Sequence, residues 1–415
     1  MKRRNLASVG VLAAVVAAAA SLAGVTSGAT SANTLTVWLQ VDAQSGWADV
    51  VAAANQQFEA SHPGWTVDVQ YQTWGDHLGK FDATLAAGNV PDVIELGNTE
   101  MTKYMAAGAF ADLTSIKRSF ANSSDWLGGL GASSTYQAKL YGVPYYAASR
   151  VIAYRSDLFK KAGMAKPPTS LAAFTAGARK LSAQNTRRGF SPLYVAGTDW
   201  YVAMSFVYDR GGAIARYKNG KWVGTLNSKQ AIAGLTAYKQ FFKVASRASK
   251  TADEAHPQPY DVYAQGMAAS IIGPAWFSCC VGAKYKAVTK QFVMPSHTSG
   301  KIMPGFQGGS DLAIPVRTDA KQQAIEWVRI FTSTSSEKAL RAKGIVPNAA
   351  NLLGNSVTEQ AARRYWFVPT AKHWVDVESA NYLRTMLARI LTGKATVQQA
   401  GSWATTKISS TLNRP

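Results

Sequence analysis

Cysteine is almost missing from this chain of 415 residues: there are two, Cys279 and Cys280, adjacent in sequence. A scaffold stapled by disulfides is thereby excluded. Neighbouring Cα atoms lie about 3.8 Å apart, below the usual disulfide separation. The pair therefore reads either as a strained ring or, more simply, as two thiols, at least one buried as a small apolar residue. Histidine is sparse too. His62, His77, His256, His297 and His373 are scattered and form no close ligand pair, so no metal site is expected. Acids are few, 24 against 44 Lys plus Arg, for a formal net charge of +20. The cations stand singly or in pairs such as Lys160-Lys161, Arg187-Arg188 and Arg363-Arg364, without the dense stripe that tracks a phosphate backbone, and nucleic-acid binding is not expected.

The marks of catalysis are missing as well. There is no HExxH, no GxSxG and no Cys/His pair with useful spacing. Gly128-Gly129 and Gly308-Gly309 lack a phosphate-loop lysine, so no nucleotide cofactor is implied. Asp92 with Glu95, and Asp253-Glu254, do not read as the facing carboxylates of a glycosidase. A secreted carbohydrate-active enzyme is thus the weaker alternative.

What the chain does have is rings, with 12 Trp and 17 Tyr, on a globular composition that is 47% hydrophobic. Its length allows two or three domains. Lys2, Arg3 and Arg4 precede an Ala/Val run from Val9 to Gly24, followed by small residues at Ser27-Gly28-Ala29 and Thr30-Ser31-Ala32. The run is shorter than the roughly 20 residues of a membrane span, so residues 1–32 read as an export signal, with the Sec and twin-arginine routes both open. Its removal takes away three cations and no acid, leaving about +17.

Thr34–Leu39 reads as a strand, and Val50, Val51, Ala54 and Phe58 then mark one face of a helix. Trp65, Val67, Val69 and Tyr71 alternate as in a half-buried strand; Leu78, Phe81 and Leu85 return to helical spacing; Pro91–Leu96 is a third strand. This order predicts an α/β fold with a largely parallel sheet. Further strands are expected at Val151–Tyr154, Ser270–Gly273 and Asp311–Val316. Helices are expected after Thr169 or Ser170, over Ile232–Phe242 and after Asp319. Ligands of such sheets sit beyond the carboxyl ends of strands, which directs attention to residues 40–44 and 97–100.

Segments spread over the chain, TLTVWLQ at Thr34, PDVIELGNTE at Pro91, YGVPYYAASRVIAYRSDLF at Tyr141, DRGGAIARYKNGKW at Asp209, YAQGMAASIIGPAWFS at Tyr263 and GFQGGSDLAIP at Gly305, are similar in order and spacing to the sugar-binding proteins of bacterial ABC importers, extracellular solute-binding protein family 1. The resemblance implies a two-lobe, periplasmic-binding-protein-like (type II) fold with a hinge and a ligand cleft. Lobe 1 is expected to comprise residues 33–146 plus 308–344, and lobe 2 residues 147–307 plus 345–415. It also implies an oligosaccharide ligand, a membrane permease as partner, a monomer and no cofactor. PDVIELGNTE and GVPYYAASR are most similar to actinobacterial binding proteins for chito-oligosaccharides such as N,N′-diacetylchitobiose, while maltose-, cellobiose- and xylo-type sugars stay open. A non-sugar solute in the same fold, such as a polyamine, is a further alternative, but its cleft would want several acids beside aromatics, whereas this chain offers amides, rings and few acids. Gram-positive relatives commonly carry a lipid-anchor cysteine after the signal; SLAGVTSGA has none, so a lipoprotein is not expected.

A pyranose offers an apolar face to a ring and a belt of hydroxyls to amides, carboxylates and guanidinium groups. By position in the family pattern Trp276 is the leading stacking candidate. Tyr145, Tyr146, Trp200 and Tyr201 follow, then Trp38 and Trp374. The polar candidates are Gln40, Asp42, Gln44, Asn98, Glu100, Ser310, Asp311 and Arg150. Each has a plain alternative as a core, cap or turn residue.

Overall fold

The computed structural model describes residues 33–414; the reading of residues 1–32 as an export signal falls outside them. Strands Asn33–Gln40, Trp65–Gln72 and Val93–Gly97 pair in parallel, the first between the other two, with Asn33 opposite Trp65 and Val37 opposite Val93. The helix Ala48–Ser61 buries Val50, Val51, Ala54 and Phe58, the face marked by the sequence. Each large side chain so buried stabilises the fold by about 1.5–3 kcal/mol. Helix Lys321–Phe331 packs against it through Trp327 and Phe331.

The parallel strands form one side of a mixed nine-stranded sheet. Antiparallel pairing enters through two strands shared by both halves of the chain. Gly305–Ala313 pairs with Val93–Gly97 on one edge and with Gly142–Arg155 on the other, from Ala313 opposite Gly142 to Gln307 opposite Ser149, with a register shift between Ser310 and Asp311. Beyond Ser149 the long strand Gly142–Arg155 changes partners. It then pairs with Ser270–Pro274, Arg150 opposite Pro274, and with Thr289–Phe292. The apolar pattern had shown only its second half, Val151–Tyr154, as a strand. Its first half carries Pro144, which local propensity does not favour but tertiary pairing accommodates.

Two large cores lie on either side of this crossing. One gathers Leu35, Val37, Phe58, Tyr145, Leu312, Trp327 and Phe331; the other gathers Ile152, Phe174, Trp200, Phe241, Trp366, Trp374 and Ile408. The second half is largely helical. Ser170 caps Leu171–Gln184 by accepting from the Ala173 N–H at 3.1 Å, a contact worth about 1 kcal/mol. Asp319 is not the cap expected ahead of Lys321–Phe331, because Ala320 holds that position without a side-chain bond. The C-terminal helices Tyr382–Thr392 and Val397–Leu412 pack on each other and return the chain to the second core. Among the described residues no helix is long and apolar enough to cross a membrane.

Candidate functional site

The first strand ends at Gln40 and runs into a short helix, Val41–Gly46, that brings Asp42 to the surface. The second strand ends at Gln72 and is followed by Trp74, 41% exposed, whose Nε1 donates to Asp42 Oδ2 at 2.6 Å. Trp74 stands edge-on to His77, ring centroids 5.3 Å apart, and His77 Nε2 lies 2.9 Å from Glu100 Oε2. Burial opposes the charge on His77, but the Glu100 carboxylate outweighs it and raises the imidazole above its usual range. Glu100 also accepts from the Gly97 N–H at 2.8 Å. A carboxylate, an indole and an imidazole–carboxylate pair thus stand together beyond the carboxyl ends of three strands.

Behind them Glu95 is buried, accepting from the Gln40 N–H at 2.8 Å. Burial pushes its carboxyl up to about 7, with the Asp42 charge adding to it and the Gln40 N–H opposing. The Ser310 and Tyr146 hydroxyls lie against the Glu95 carboxyl, and Gln40 Oε1 is buried with no hydrogen-bond partner among the described residues. Unpaired buried polar atoms are uncommon in native proteins and mark a place for water or ligand.

The second half supplies the opposing surface. Asp199 caps helix Trp200–Asp209 and presents Trp200 and Tyr201, stacked at 4.0 Å. The Arg150 guanidinium lies 4.2 Å from the centre of the Tyr201 ring and 3.9 Å from Asp199 Oδ2. Arg384 pairs with Glu254. A cavity of about 160 Å³ is lined by Thr99 of the first half and by Trp200, Tyr201, Glu378, Asn381 and Arg384 of the second. Burial, with the Glu100 charge adding to it, pushes the Glu378 carboxyl up to about 7, with Trp374 working against the shift. Small-molecule sites usually enclose roughly 300–1,000 Å³, more than this cavity holds.

Trp276 projects from the short helical turn Ala275–Cys279 after strand Ser270–Pro274 and is 55% exposed. Phe277 and Tyr260 support it, with ring centroids 4.7 and 5.8 Å away. Among large apolar side chains of the described residues, Trp74, Trp276 and Tyr217 are unusual in facing solvent.

The structure brings Asp42 and Glu100 together at the end of the parallel strands, and Arg150, Trp200 and Tyr201 together opposite them. Tyr146 is partly exposed, its ring 5.6 Å from Trp47, and Gln44 lies exposed on the first short helix. Of the candidates only Trp200 and Tyr201 line the cavity; Trp276, Asp42, Glu100 and Arg150 do not, and several others are taken up in the core. Trp38 is buried and donates to Gln70 at 2.9 Å, and Tyr145 is wholly buried and accepts from Trp47 Nε1. Trp374 is buried behind Trp200, 6.1 Å away. Asp311 is buried with Ser133 Oγ at 2.6 Å, and burial pushes its carboxyl up to about 8. Asn98 clamps the crossing strand, donating from its backbone to Gly309 O and from Nδ2 to Gln307 O, both at 2.9 Å.

Trp74, His77, Asp199, Glu254, Glu378 and Arg384 escaped the sequence reading. Trp74 follows a strand just as Gln40 does, so the same topological rule reaches it. Glu378 and Arg384 lie on C-terminal helices and nothing local marks them. Cys279 and Cys280, expected most simply as thiols, are joined to each other.

The raised carboxyls give a stability profile with a definite sign. Asp199, pushed by burial up to about 6 against the pull of Arg150, and Glu95 and Glu378, up to about 7, bind more protons folded than unfolded between about pH 4 and 7. Stability falls as pH rises through that window, and His77, raised by Glu100, adds a term of the same sign that is lost above its folded value. Melting temperature is therefore expected to drop between pH 5.5 and 8, and to drop less in Glu378→Gln. A flat or rising profile contradicts these assignments.

Comparison with known proteins bears on the family and the fold. The family profile for bacterial extracellular solute-binding proteins matches residues 39–338. The diacetylchitobiose-binding protein DasA of Streptomyces coelicolor is 30% identical over 419 residues, covering 96% of each chain. The maltodextrin-binding protein MdxE of Bacillus subtilis is 23% identical, covering 72% of this chain and 70% of that one. The fold is shared with the sugar-binding protein MalE of Xanthomonas citri, at a TM-score of 0.77 and 18% identity over 92% of this chain and 97% of that one. It is shared too with the GacH receptor of Streptomyces glaucescens, solved unliganded and with acarbose, at a TM-score of 0.72 and 18% identity over 92% and 98%.

Proposed function

The chain belongs to the bacterial extracellular solute-binding proteins, and from that premise we propose that it captures an oligosaccharide between its lobes, N,N′-diacetylchitobiose or a similar GlcNAc-type sugar first, and hands it to the membrane permease of an ABC importer. It is a binding protein, not an enzyme, as its relatives are. In this reading lobe 1 comprises residues 33–146 and 308–344 and lobe 2 residues 147–307 and 345–415. The protein works outside the cytoplasm as a monomer.

One observation carries the choice of a neutral, ring-shaped ligand. Exposed indoles stand in each lobe, Trp74 beside His77 and Trp276 over Phe277 and Tyr260, and the charged groups at the strand ends and around the cavity are largely matched. Glu100 faces His77, Asp199 faces Arg150 and Glu254 faces Arg384. Burial holds Glu95 and Glu378, each pushed up to about 7, roughly half protonated at pH 7. The sequence had suggested a cleft with few acids; the fold gathers six, counting Asp42, and neutralises most of them. Such groups accept from and donate to sugar hydroxyls without demanding an ionic solute. Identity to DasA over nearly the full chain favours a chitobiose-type sugar among the neutral candidates.

A second reading, a cationic solute such as a polyamine, draws on those same carboxylates. Thermal shift with N,N′-diacetylchitobiose, maltose, cellobiose, xylobiose and spermidine separates the two, because ligand bound to the folded state raises the melting temperature with concentration. A rise with a sugar and none with spermidine supports the reading; the reverse replaces it. Trp74→Ala is expected to weaken sugar binding about three- to tenfold, the worth of one ring face, in a direct titration. Unchanged affinity would remove Trp74 from the site.

A further inference from the structure

The chain's only cysteines lie at the end of the turn that carries Trp276. Both are exposed and bonded to each other. That turn is fastened at three points. Gln291 Nε2 donates to Ala275 O at 3.0 Å and to Ser278 Oγ. Phe277 is buried beside Gly273, Tyr260 and Trp276, and the Cys280 N–H closes the turn on Phe277 O at 3.1 Å. The third fastening is the ring between Cys279 and Cys280, followed directly by the buried Val281. Among the described residues the aromatic neighbours of Trp276 are Phe277 and Tyr260, and the ring is otherwise 55% exposed, so its direction follows the conformation of the turn.

We propose that the Cys279–Cys280 disulfide is a positioning element for the Trp276 face, and that its reduction by an external dithiol lowers sugar affinity by releasing the turn. The affinity part of this inference rests on the sugar-binding reading above. The chemistry is an ordinary exchange. One thiolate of the dithiol attacks an exposed sulfur, the S–S bond breaks, and the other cysteine leaves as thiolate and takes a proton. The second thiol of the reagent, as thiolate, displaces the first cysteine from the mixed disulfide. Two electrons and two protons pass to the protein, which gains two thiols, and the reagent becomes its own disulfide.

The full-length mature protein is prepared oxidised and after dithiothreitol, with two thiols counted in the reduced form. Acrylamide quenching of tryptophan emission is compared between the forms in the native protein and in Trp276→Ala. N,N′-diacetylchitobiose affinity is then measured for all four samples. Reduction is expected to change quenching in the native protein and not in Trp276→Ala, and to weaken chitobiose binding at least threefold in the native protein alone. The Cys279→Ser/Cys280→Ser protein should match the reduced form and ignore dithiothreitol. Reoxidation should restore both readouts, which a damaged fold would not do. Equal quenching in the two redox forms overturns the proposal whatever the ligand, and so does equal affinity where chitobiose binds. A quenching change without chitobiose binding upholds the positioning role and counts against the sugar reading instead.

Discussion

Replacing Trp276 with alanine is expected to raise the dissociation constant for the cognate sugar about 10- to 100-fold, or about 1.4–2.8 kcal/mol. The fold should barely notice. The ring is 55% exposed and lies over Phe277 and Tyr260, which remain to cover the core beneath it. Large aromatics left in solvent contribute little to folding, whereas in a complex one covers the apolar face of a sugar and excludes water from the hydrogen bonds at its rim. Titration calorimetry alongside a melting curve separates the two effects. Lost affinity at unchanged melting temperature assigns Trp276 to the ligand; unchanged affinity removes it from the site.

The second large effect is expected at the crossing between lobes. Gly309 holds φ of +134°, and a Cβ there would lie 2.1 Å from Tyr146 O and 2.9 Å from Ala147 Cα. Both are backbone atoms of the paired crossing strand, so no side chain can move aside to relieve the contact. Gly309→Ala must therefore separate the strands or twist the residue into a costly backbone region, at about 3 kcal/mol or more. Because Gly309 O also accepts from Asn98, the first lobe loses its tie to the crossing as well. The melting temperature should fall by several degrees, and sugar affinity should fall with it because the lobes no longer meet in register. A variant that melts and binds like the parent would show that the crossing tolerates a side chain.

These two residues also show what the sequence could and could not say. Gly309 is one of two neighbouring glycines, and only the pairing of Gly305–Ala313 with Gly142–Arg155 reveals which of them must lack a side chain. Trp276 was reached through family resemblance and its place after a strand. The apolar run at Thr34–Leu39 and the period-2 and period-3.6 patterns around Trp65–Tyr71 and Val50–Phe58 translated directly into strands and a helix, the first buried on both faces over its second half and the other two each turning one regular face inward. The same patterns showed only the second half of the long crossing strand, whose partners change at Ser149 and whose residues face different surroundings along its length. Tyr145 and Tyr146 illustrate the difficulty. They are neighbours of one chemical type, yet alternation turns one into the core against Trp47 and leaves the other partly exposed. Glu378 and Arg384 reach the cleft through helix packing over long sequence separation, for which no local spacing exists.

The central claim is that two lobes close over a neutral sugar, and calorimetric titration of the purified protein with N,N′-diacetylchitobiose at pH 7 tests it most directly. The account predicts one saturable site, a negative heat-capacity change from rings covered on closure, and a dissociation constant in the micromolar range, about −8 kcal/mol. Absence of heat with this sugar and with maltose, cellobiose and xylobiose, beside saturable binding of spermidine, would contradict it.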